Sequence, residues 1–420
     1  MKAFTEPLLS LAGFEEMTKT AEKSSGLISV TGCIDAQKSQ MIYAFGGHRK
    51  NKLIVTFGEQ KAKELYDEYS FFDKEVVYYP SKDVLFYQSD IRGNLLTAER
   101  IRALKAIREQ ERVTLVTTFD ALMNTMAPIE KMWENVLTLE QGQLLDLKEI
   151  QAALIRMGYE KEYQVQTMGQ FSVRGGILDV FPLTEENPIR IELWGDEIDT
   201  IRYFDCESQK SIENIDRVSI YPAAELVLSD EEKAGGIDKL KAEAKRVSDK
   251  LRKQMKTEEA HRVTVMADEF TEEWGELSMY AGMDAFLSYF FDERVGLLDY
   301  FNPSDSLIFF DELTRCAEQG KLTETEFSES MKQRLAMGYI LPGQMNGLFT
   351  EKEIVAKLEK YSCIALGALD NKANGLHQLG SYGIHCQSVS PYNNSFELLI
   401  KDLKRYKKNG YRVILLSGSR

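Results

Sequence analysis

Cysteine and histidine are scarce in this chain of 420 residues. Its five cysteines, at positions 33, 206, 316, 363 and 386, include no CxxC pair, so we expect no disulfide framework and a reducing, cytoplasmic setting. The four histidines show no ligand spacing, and His385 with Cys386 is the one close His/Cys pair. Two adjacent residues do not supply the ligands of a metal site, so no metal is expected.

Long apolar runs and excess basic charge are also missing. No stretch approaches the roughly 18 apolar residues of a membrane span, and the start of the chain is not a convincing signal peptide. Acids outnumber bases by 66 to 52, for a formal net charge of -14. That balance does not favour a protein whose whole surface binds nucleic acid, although a local basic site remains open. The length of 420 residues suggests about three domains. The hydrophobic fraction of 43% is enough for buried cores.

Strands and helices alternate over the first 118 residues. Strand-like runs occur at 27–30, 53–57, 76–80 and 113–117, and helical patterns begin near Ala36, Glu59 and Thr97. The threonine reads as a helix cap. Alternation of this kind predicts a parallel sheet with helices on its faces.

Gly32 to Ser39 has the spacing of a phosphate-binding loop, GxxxxGK[ST], with one change. Lys38 and Ser39 stand where a lysine would reach the phosphates and a hydroxyl would hold magnesium. Gln37 replaces the second glycine and puts a side chain where the backbone must approach the phosphate. We favour a plain strand-to-helix turn that no longer binds nucleotide over a working loop.

Two acids end a later apolar strand at residues 307–312. In nucleotidases such acids, here Asp311 and Glu312, hold magnesium and position a water. They need the other half of the site, which Gln37 compromises. We therefore favour a buried strand whose last residues reach solvent, and no cofactor is expected in this chain.

Short strands separated by turns fill residues 169–206. In 189–194 the isoleucines and the leucine share one face of a strand, whereas Arg190, Glu192 and Trp194 share the other. A solvated face should not carry a tryptophan beside an arginine, because these two residue types dominate energetic hot spots at interfaces. With a helix at 146–157 that Gly158 ends, the region predicts an α+β unit.

The second half returns to helices and strands. A charged stretch, 229–261, carries a single apolar helical stripe, which favours a surface helix docked on its own core, with a partner helix as the alternative. We expect a strand at 263–265, an aromatic helix at 270–291 and a last strand at 411–416. Such a strand requires a covering helix, so we expect its domain to continue beyond Arg420.

The motif VRGGILDVFP…PIRIELWGDEIDTIRYFD…SQKSIENI…IYPAAE resembles the module shared by the excision-repair protein UvrB and the bacterial transcription-repair coupling factors, the Mfd family. About a dozen positions over about fifty residues carry the resemblance. Gln37, and a segment from Tyr79 to Thr97 too short for the tyrosine-rich hairpin of UvrB (its aromatics are Tyr79, Phe86 and Tyr87), make the chain more similar to the N-terminal region of the Mfd family.

The resemblance implies a domain plan and a role. A helicase-like (RecA-like) α/β domain without a working nucleotide site would comprise 1–118 and 223–385, with an inserted α+β domain at 119–222 and the start of a further small α/β domain at 386–420. The role would be non-catalytic recruitment of UvrA, linking stalled RNA polymerase to nucleotide excision repair. RNA polymerase, double-stranded DNA and the ATP of the family's translocase motor would be bound by domains beyond Arg420.

Position by position, the family's UvrA-binding residues fall on Arg174, Arg190 and Trp194, where the family more often has phenylalanine at the last position. Two alternatives stay open: Arg174 could pair with an acid such as Glu192, and Trp194 could be covered by its own neighbours. Gly175, Gly176 and Asp179 read as structural. As whole functions, an ATP-dependent, damage-loading protein of the UvrB type and a DNA-binding scaffold remain the competitors.

Overall fold

Seven parallel strands form the central layer of the larger of two units, residues 1–384 and 385–420. The computed structural model describes residues 2–11, 13–45, 49–82, 94–276, 283–369 and 375–415. Phe86 and Tyr87, in the segment compared above with the UvrB hairpin, lie outside these residues. Within the described ranges, no helix is both long and apolar enough to cross a membrane.

The first 118 residues alternate as the sequence predicts. In chain order the elements are α1 (Lys2–Leu9), α2 (Phe14–Lys23), β1 (Gly26–Thr31), α3 (Asp35–Phe45), β2 (Asn51–Thr56), α4 (Glu59–Tyr69), β3 (Val77–Tyr79), α5 (Asn94–Glu109) and β4 (Val113–Thr118). The threonine cap was wrong: α5 begins at Asn94, so Thr97 lies inside its first turn.

Short helices and a different set of strands follow. They are α6 (Phe119–Met123), α7 (Ile129–Glu134), β5 (Leu137–Glu140), α8 (Leu147–Arg156), β6 (Glu160–Lys161), β7 (Gln170–Arg174), β8 (Ile177–Val180), β9 (Ile189–Trp194), β10 (Glu197–Phe204), β11 (Ser211–Ile215) and β12 (Arg217–Ile220). The Asp146 carboxylate caps α8 by accepting from the amides of Lys148 and Glu149. Gly158 follows the helix with φ of 89°, a conformation that favours glycine.

The remaining chain completes the parallel sheet. Its elements are α9 (Asp230–Lys253), α10 (Thr257–Glu276), α11 (Leu287–Phe290), β13 (Ser306–Asp311), α12 (Leu313–Ala336), α13 (Glu351–Leu358), β14 (Ser362–Gly367) and β15 (Gln378–Gly383), with 3-10 turns at Met283–Phe286, Leu297–Tyr300 and Pro342–Asn346. The predicted aromatic helix at 270–291 is therefore broken into pieces, and its residues 277–282 lie outside the described chain.

Residues 263–265 form part of α10 and not the predicted strand. Valine and threonine favour strands locally, but Ala260, Val263, Ala267 and Phe270 recur at helical spacing and are buried. Val263, Ala267 and Phe270 pack in one apolar cluster with Leu240 and Ala244 of α9. The charged helix α9 thus docks its stripe on its own chain.

The strand order of the parallel sheet is β15-β1-β14-β13-β2-β4-β3. Strands β1, β13, β14 and β4 are buried almost throughout, as expected when helices cover both faces. The predicted α/β class is confirmed. Two smaller sheets, of order β11-β10-β9-β8-β7-β6 and β12-β5, form the separate, mainly antiparallel layer.

The smaller unit, 385–420, contains helix α14 (Phe396–Lys408). The strand predicted at 411–416 is not observed in its described residues, 411–415. A strand needs a neighbour to satisfy its backbone groups, and the described part of this unit offers none. Residues 416–420 lie outside the described chain.

A buried ionic network joins α5 to the segment that follows β12. The side chains of Arg100 and Glu225 are 0% and 6% exposed, and Nε and Nη2 of Arg100 donate to the two Glu225 oxygens at 2.8 and 3.0 Å. Lys82 Nζ lies 2.9 Å from Glu225 Oε1. Burial alone would raise the pKa of Glu225, but the charges of Arg100 and Lys82 outweigh it and lower that pKa to about 2.

We predict that Glu225→Gln lowers the free energy of unfolding by about 3–5 kcal/mol, because it leaves Arg100 buried without a counter-charge. Glu140→Gln, which breaks an exposed pair with Arg217, is the matched control and should cost below about 1 kcal/mol. Urea unfolding followed by circular dichroism measures both. Equal costs would contradict the assignment.

The same network gives a pH dependence. Because the folded pKa of Glu225 lies below its ordinary value of 4.5, the stability it contributes is present above that value and is lost as pH falls toward 2. The unfolding midpoint of the parent should therefore fall more steeply below pH 4.5 than that of Glu225→Gln. Parallel pH profiles would contradict this origin of the acid sensitivity.

Candidate functional site

The loop with phosphate-binding spacing lies at the carboxyl end of β1. Strand β1 ends at Thr31, Gly32 turns the chain with φ of 79°, and α3 begins at Asp35. The amides of Gly32 and Cys33 donate to the carbonyls of Ala368 and Gly367, and that of Gln37 donates to Ile34. These three amides are thus already paired within the chain.

Lys38 is turned back into the protein. Its side chain is 1% exposed, and Nζ lies 2.5 Å from Asp311 Oδ1, 2.8 Å from Asp35 Oδ1 and 3.1 Å from Glu312 Oε1. Thr56 donates to the other oxygen of Asp311 at 2.9 Å. The lysine that would reach a phosphate is therefore surrounded by three carboxylates.

The charges at this edge of the sheet hold one another. Burial lowers the pKa of Lys38, but the carboxylates around it, first of all Asp311, more than reverse the shift, so the net pKa is raised. The hydrogen bond from Lys38 lowers the pKa of Asp35. Glu312 has a left-handed φ of 57°, unusual for a residue other than glycine, and its carboxylate also accepts from the Ala368 amide.

The expectation that both acids reach solvent was wrong for Asp311. Its side chain is 2% exposed, whereas that of Glu312 is 23% exposed. A buried carboxylate requires a counter-charge. Lys38 supplies it from the first turn of α3, 273 residues away in the sequence. The lysine of the loop and the two acids at the end of β13 therefore do come together, and they are in direct contact.

The second candidate site is the polar face of the six-stranded sheet, here called the arginine face. It consists of the outward-pointing side chains of Arg174, Asp179, Arg190, Glu192, Trp194 and Arg202. Strand register places Asp179, Arg190 and Arg202 in one row and Arg174 and Glu192 in the next. Ile189 and Ile191 are 0% exposed on the opposite face, as the strand alternation predicts.

Asp179 is the centre of the arginine face. Its carboxylate is 1% exposed and accepts from Arg190 Nε at 2.7 Å, from Arg190 Nη2 at 2.8 Å and from Arg174 Nη2 at 2.8 Å. The structural role of Asp179 is therefore to position both arginines. An acid between Leu178 and Val180 of an apolar strand was the signal that could have shown this.

Arg190 is held on every side. Besides the bidentate pair with Asp179, its Nη2 donates to Gln209 at 2.8 Å, and its guanidinium lies 4.3 Å from the centre of the Phe204 ring. The hydrogen bonds to Asp179 raise the pKa of Arg190. The side chain is 13% exposed, against 36% for Arg174. Arg190 is therefore preorganised, and Arg174 is the more accessible cation.

The pairing suggested between Arg174 and Glu192 is not observed. Glu192 instead accepts from Arg202, at 2.5 Å between Oε1 and Nη2 and 2.9 Å between Oε2 and Nη1. Those hydrogen bonds lower the pKa of Glu192. Three arginines against two carboxylates leave the arginine face with a net charge of +1.

Trp194 ends β9 and is 85% exposed, so the alternative that its neighbours cover it was wrong. Gly195, with φ of 66°, makes the turn into β10. Beside the indole is an open groove of about 710 Å³, which Glu140, Glu197, Asp199 and Asp216 line with Arg217. A large aromatic ring thus stands free at one end of the arginine face.

We predict that Lys38→Met costs about 3–5 kcal/mol of unfolding free energy, because Asp311 and Glu312 lose their counter-charge. Adding Asp311→Asn should recover part of the loss, with a coupling energy of about 0.5–3 kcal/mol in urea unfolding. Lys19→Met, at an exposed pair with Glu15, is the control and should be nearly neutral. A fully stable Lys38→Met would contradict the structural role and favour an open loop.

Comparison with known proteins shows what the whole chain and the region of the arginine face are similar to. Residues 137–226 match the family model described as the UvrB interaction domain. The chain is 26% identical over 369 residues to a transcription-repair-coupling factor of Bacillus subtilis; the aligned part makes up 87% of the chain and 31% of that relative. It is also 26% identical over 392 residues to the Staphylococcus haemolyticus protein of the same name, and here the aligned part makes up 93% of the chain and 33% of the relative.

A third relative agrees with the first two. The transcription-repair-coupling factor of Staphylococcus aureus strain MRSA252 is 26% identical over 409 residues, covering 96% of the chain and 34% of that relative. The chain thus spans about a third of the length of the curated relatives it matches. The chain is therefore similar over most of its length to transcription-repair-coupling factors, and its residues 137–226 are similar to the UvrB interaction domain.

Proposed function

We propose that this chain is the UvrA-recruiting part of a transcription-repair-coupling factor, and that it docks UvrA through Arg174, Arg190 and Trp194 without using nucleotide. The match to a UvrB interaction domain and the names of the relatives support the role. The domain plan belongs to the proposal: 1–118 with 223–385, an inserted 119–222, and a further domain from 386. RNA polymerase, and the double-stranded DNA on which the motor of such a factor would act, would be bound by parts outside this chain.

The single observation that carries the proposal is one buried carboxylate shared by two arginines beside an exposed tryptophan. Asp179 neutralises one positive charge, so Arg174 and Arg190 together keep a charge of +1. Among the described residues Arg174 donates only from Nη2, which leaves Nε and Nη1 to an incoming acceptor. This arrangement suits an acidic side chain of a partner, which would add a charge-assisted hydrogen bond.

The three residues differ in what they contribute. Trp194 lies four positions after Arg190 along β9, so the two are about 13 Å apart on the same face. Trp194 supplies a large apolar anchor that folding has left uncovered. Arg190 cannot move freely, so it loses little conformational entropy on binding. Arg174 supplies the accessible donors.

The enclosed Lys38 supports the proposal that nucleotide is not used. Phosphate binding would require Lys38 to leave Asp311, Asp35 and Glu312, which would strand a buried carboxylate. It would also require the loop backbone to approach the phosphate at Gln37. The competing function, an ATP-dependent protein of the UvrB type, therefore lacks a prepared site.

We predict that Trp194→Ala weakens UvrA binding by at least about 30-fold, equivalent to about 2 kcal/mol, without changing the stability of the fold. Arg174→Ala should weaken binding as well. Isothermal titration of UvrA with the 420-residue chain measures both. Leu322→Ala and Arg156→Ala, which remove exposed side chains elsewhere, are the matched controls. Unchanged affinity in Trp194→Ala would place the interface elsewhere.

Arg190→Ala has to be analysed differently, because it also leaves Asp179 with one of its three arginine hydrogen bonds. Its effect on UvrA affinity should exceed that of Arg174→Ala, and urea unfolding of the same variant separates the folding part. Arg190→Lys keeps the charge but cannot form the bidentate pair. An Arg190→Lys variant that binds like the parent would show that charge alone suffices.

We predict no saturable binding of Mg-ATP below about 1 mM in a titration with a fluorescent ATP analogue. Gln37→Gly should not restore binding, because Lys38 stays paired with Asp311. Micromolar affinity in the parent that is lost in Lys38→Ala, with the fold intact by circular dichroism, would overturn this part of the proposal.

A further inference from the structure

Basic residues are concentrated at the end of α9 and in its connection to α10. Residues 245–256 contain six bases, Lys245, Arg246, Lys250, Arg252, Lys253 and Lys256, and one acid, Asp249. Their net charge of +5 stands on a chain whose formal net charge is -14. All seven side chains belong to exposed residues. We call this segment the basic tip; it opposes the charge of the rest of the protein.

Few of these bases have counter-charges. Among the described residues, Arg246 pairs with Glu243 at 2.7 Å, and the other five bases of the basic tip take part in no ion pair. The nearby Glu258 is directed to Arg262, at 3.8 Å. The positive charge of the basic tip is therefore not neutralised within the described parts of the chain.

The helix dipole explains only part of the pattern. Lys250, Arg252 and Lys253 occupy the last turn of α9, where cations are favourable, and acids occupy its first turn. The dipole effect falls off within one turn. Lys245 and Arg246 lie before that turn and Lys256 lies beyond the helix, so half of the bases require another reason.

The basic tip is held in place. Ser248 donates to the Ala260 carbonyl at 3.1 Å, joining α9 to α10, and the amide of Lys256 donates to Leu251 at 3.0 Å. Next to it, Arg262 of α10 donates to the Tyr339 hydroxyl at 3.1 Å, beyond the end of α12. Bases on a braced helix end lose less entropy on binding than bases on a loose tail.

We propose that the basic tip binds the phosphate backbone of duplex DNA. Four of its six bases are lysines, which protein–protein interfaces avoid and phosphate contacts use. Its one exposed large apolar side chain is that of Met255, 88% exposed, so it lacks the aromatic anchors of a protein interface. Lys245 to Lys253 spans about 12 Å of helix, a length over which duplex DNA carries about seven phosphate charges.

The contact would be independent of sequence, because lysine and arginine on phosphates carry no base information. It goes beyond the docking of UvrA and uses none of the arginine face. A chain that recruits a repair protein would thereby hold DNA through a second surface. Neither surface needs the other for its chemistry, so each proposal can fail alone.

The test is fluorescence anisotropy of a labelled duplex of about 30 base pairs, titrated with the 420-residue chain between about 25 and 200 mM salt. If the five unpaired bases contact phosphates, log K against log salt has a slope of about -4.5. Lys250→Gln, Arg252→Gln and Lys253→Gln combined should reduce the slope to about -1.8 and the affinity at 50 mM salt by at least about tenfold.

The matched control neutralises two lysines and one arginine elsewhere, through Lys148→Gln, Arg156→Gln and Lys161→Gln, all at exposed residues. It should bind DNA like the parent, and both triple variants should bind UvrA like the parent and remain folded at the temperature of the titration. Absence of DNA binding at low salt, or equal binding by the two triple variants, would overturn the proposal. Polyglutamate competing as well as DNA at equal charge would also overturn it, in favour of an acidic protein.

Discussion

A carboxylate that folding removes from water must meet a cation, and this constraint organises the protein at three places. Glu225 is met by Arg100 and Lys82, Asp311 by Lys38, and Asp179 by Arg174 and Arg190. In each case the partners come from different elements, so the pair ties those elements together. Removing one partner would leave a buried charge, which costs far more than an exposed pair is worth.

The same constraint has opposite consequences at the two candidate sites. At the edge of the parallel sheet, Lys38 faces three carboxylates and is fully engaged, so it is not left over for a phosphate. On the arginine face, one carboxylate faces two arginines, so positive charge and donors are left over. The balance of charges therefore separates an internal structural cluster from a surface with positive charge to spare, where we propose that an acidic partner binds. The likeness to transcription-repair-coupling factors fits this division.

Local patterns predicted the elements well where burial and periodicity agree. The four strands among the first 118 residues and the two faces of β9 follow from apolar spacing alone. Valines 263 and 265 were misread as a strand because local propensity is weak, and packing against α9 decided for a helix. The strand predicted at 411–416 is not observed in its described part, 411–415. Among the described residues of this unit, no neighbouring strand is available to satisfy the hydrogen-bonding groups of the backbone.

Which side chains share a face can be read from the sequence, because strand periodicity depends only on position along the chain. The sequence placed Arg190 and Trp194 on the same face and, through Gln37, favoured a turn that does not bind nucleotide. Which charges meet depends on the tertiary structure. Asp179 reaches Arg190 across strand register, and Lys38 reaches Asp311 across 273 residues. Such pairings depend on the order of strands in a sheet, which no local pattern contains.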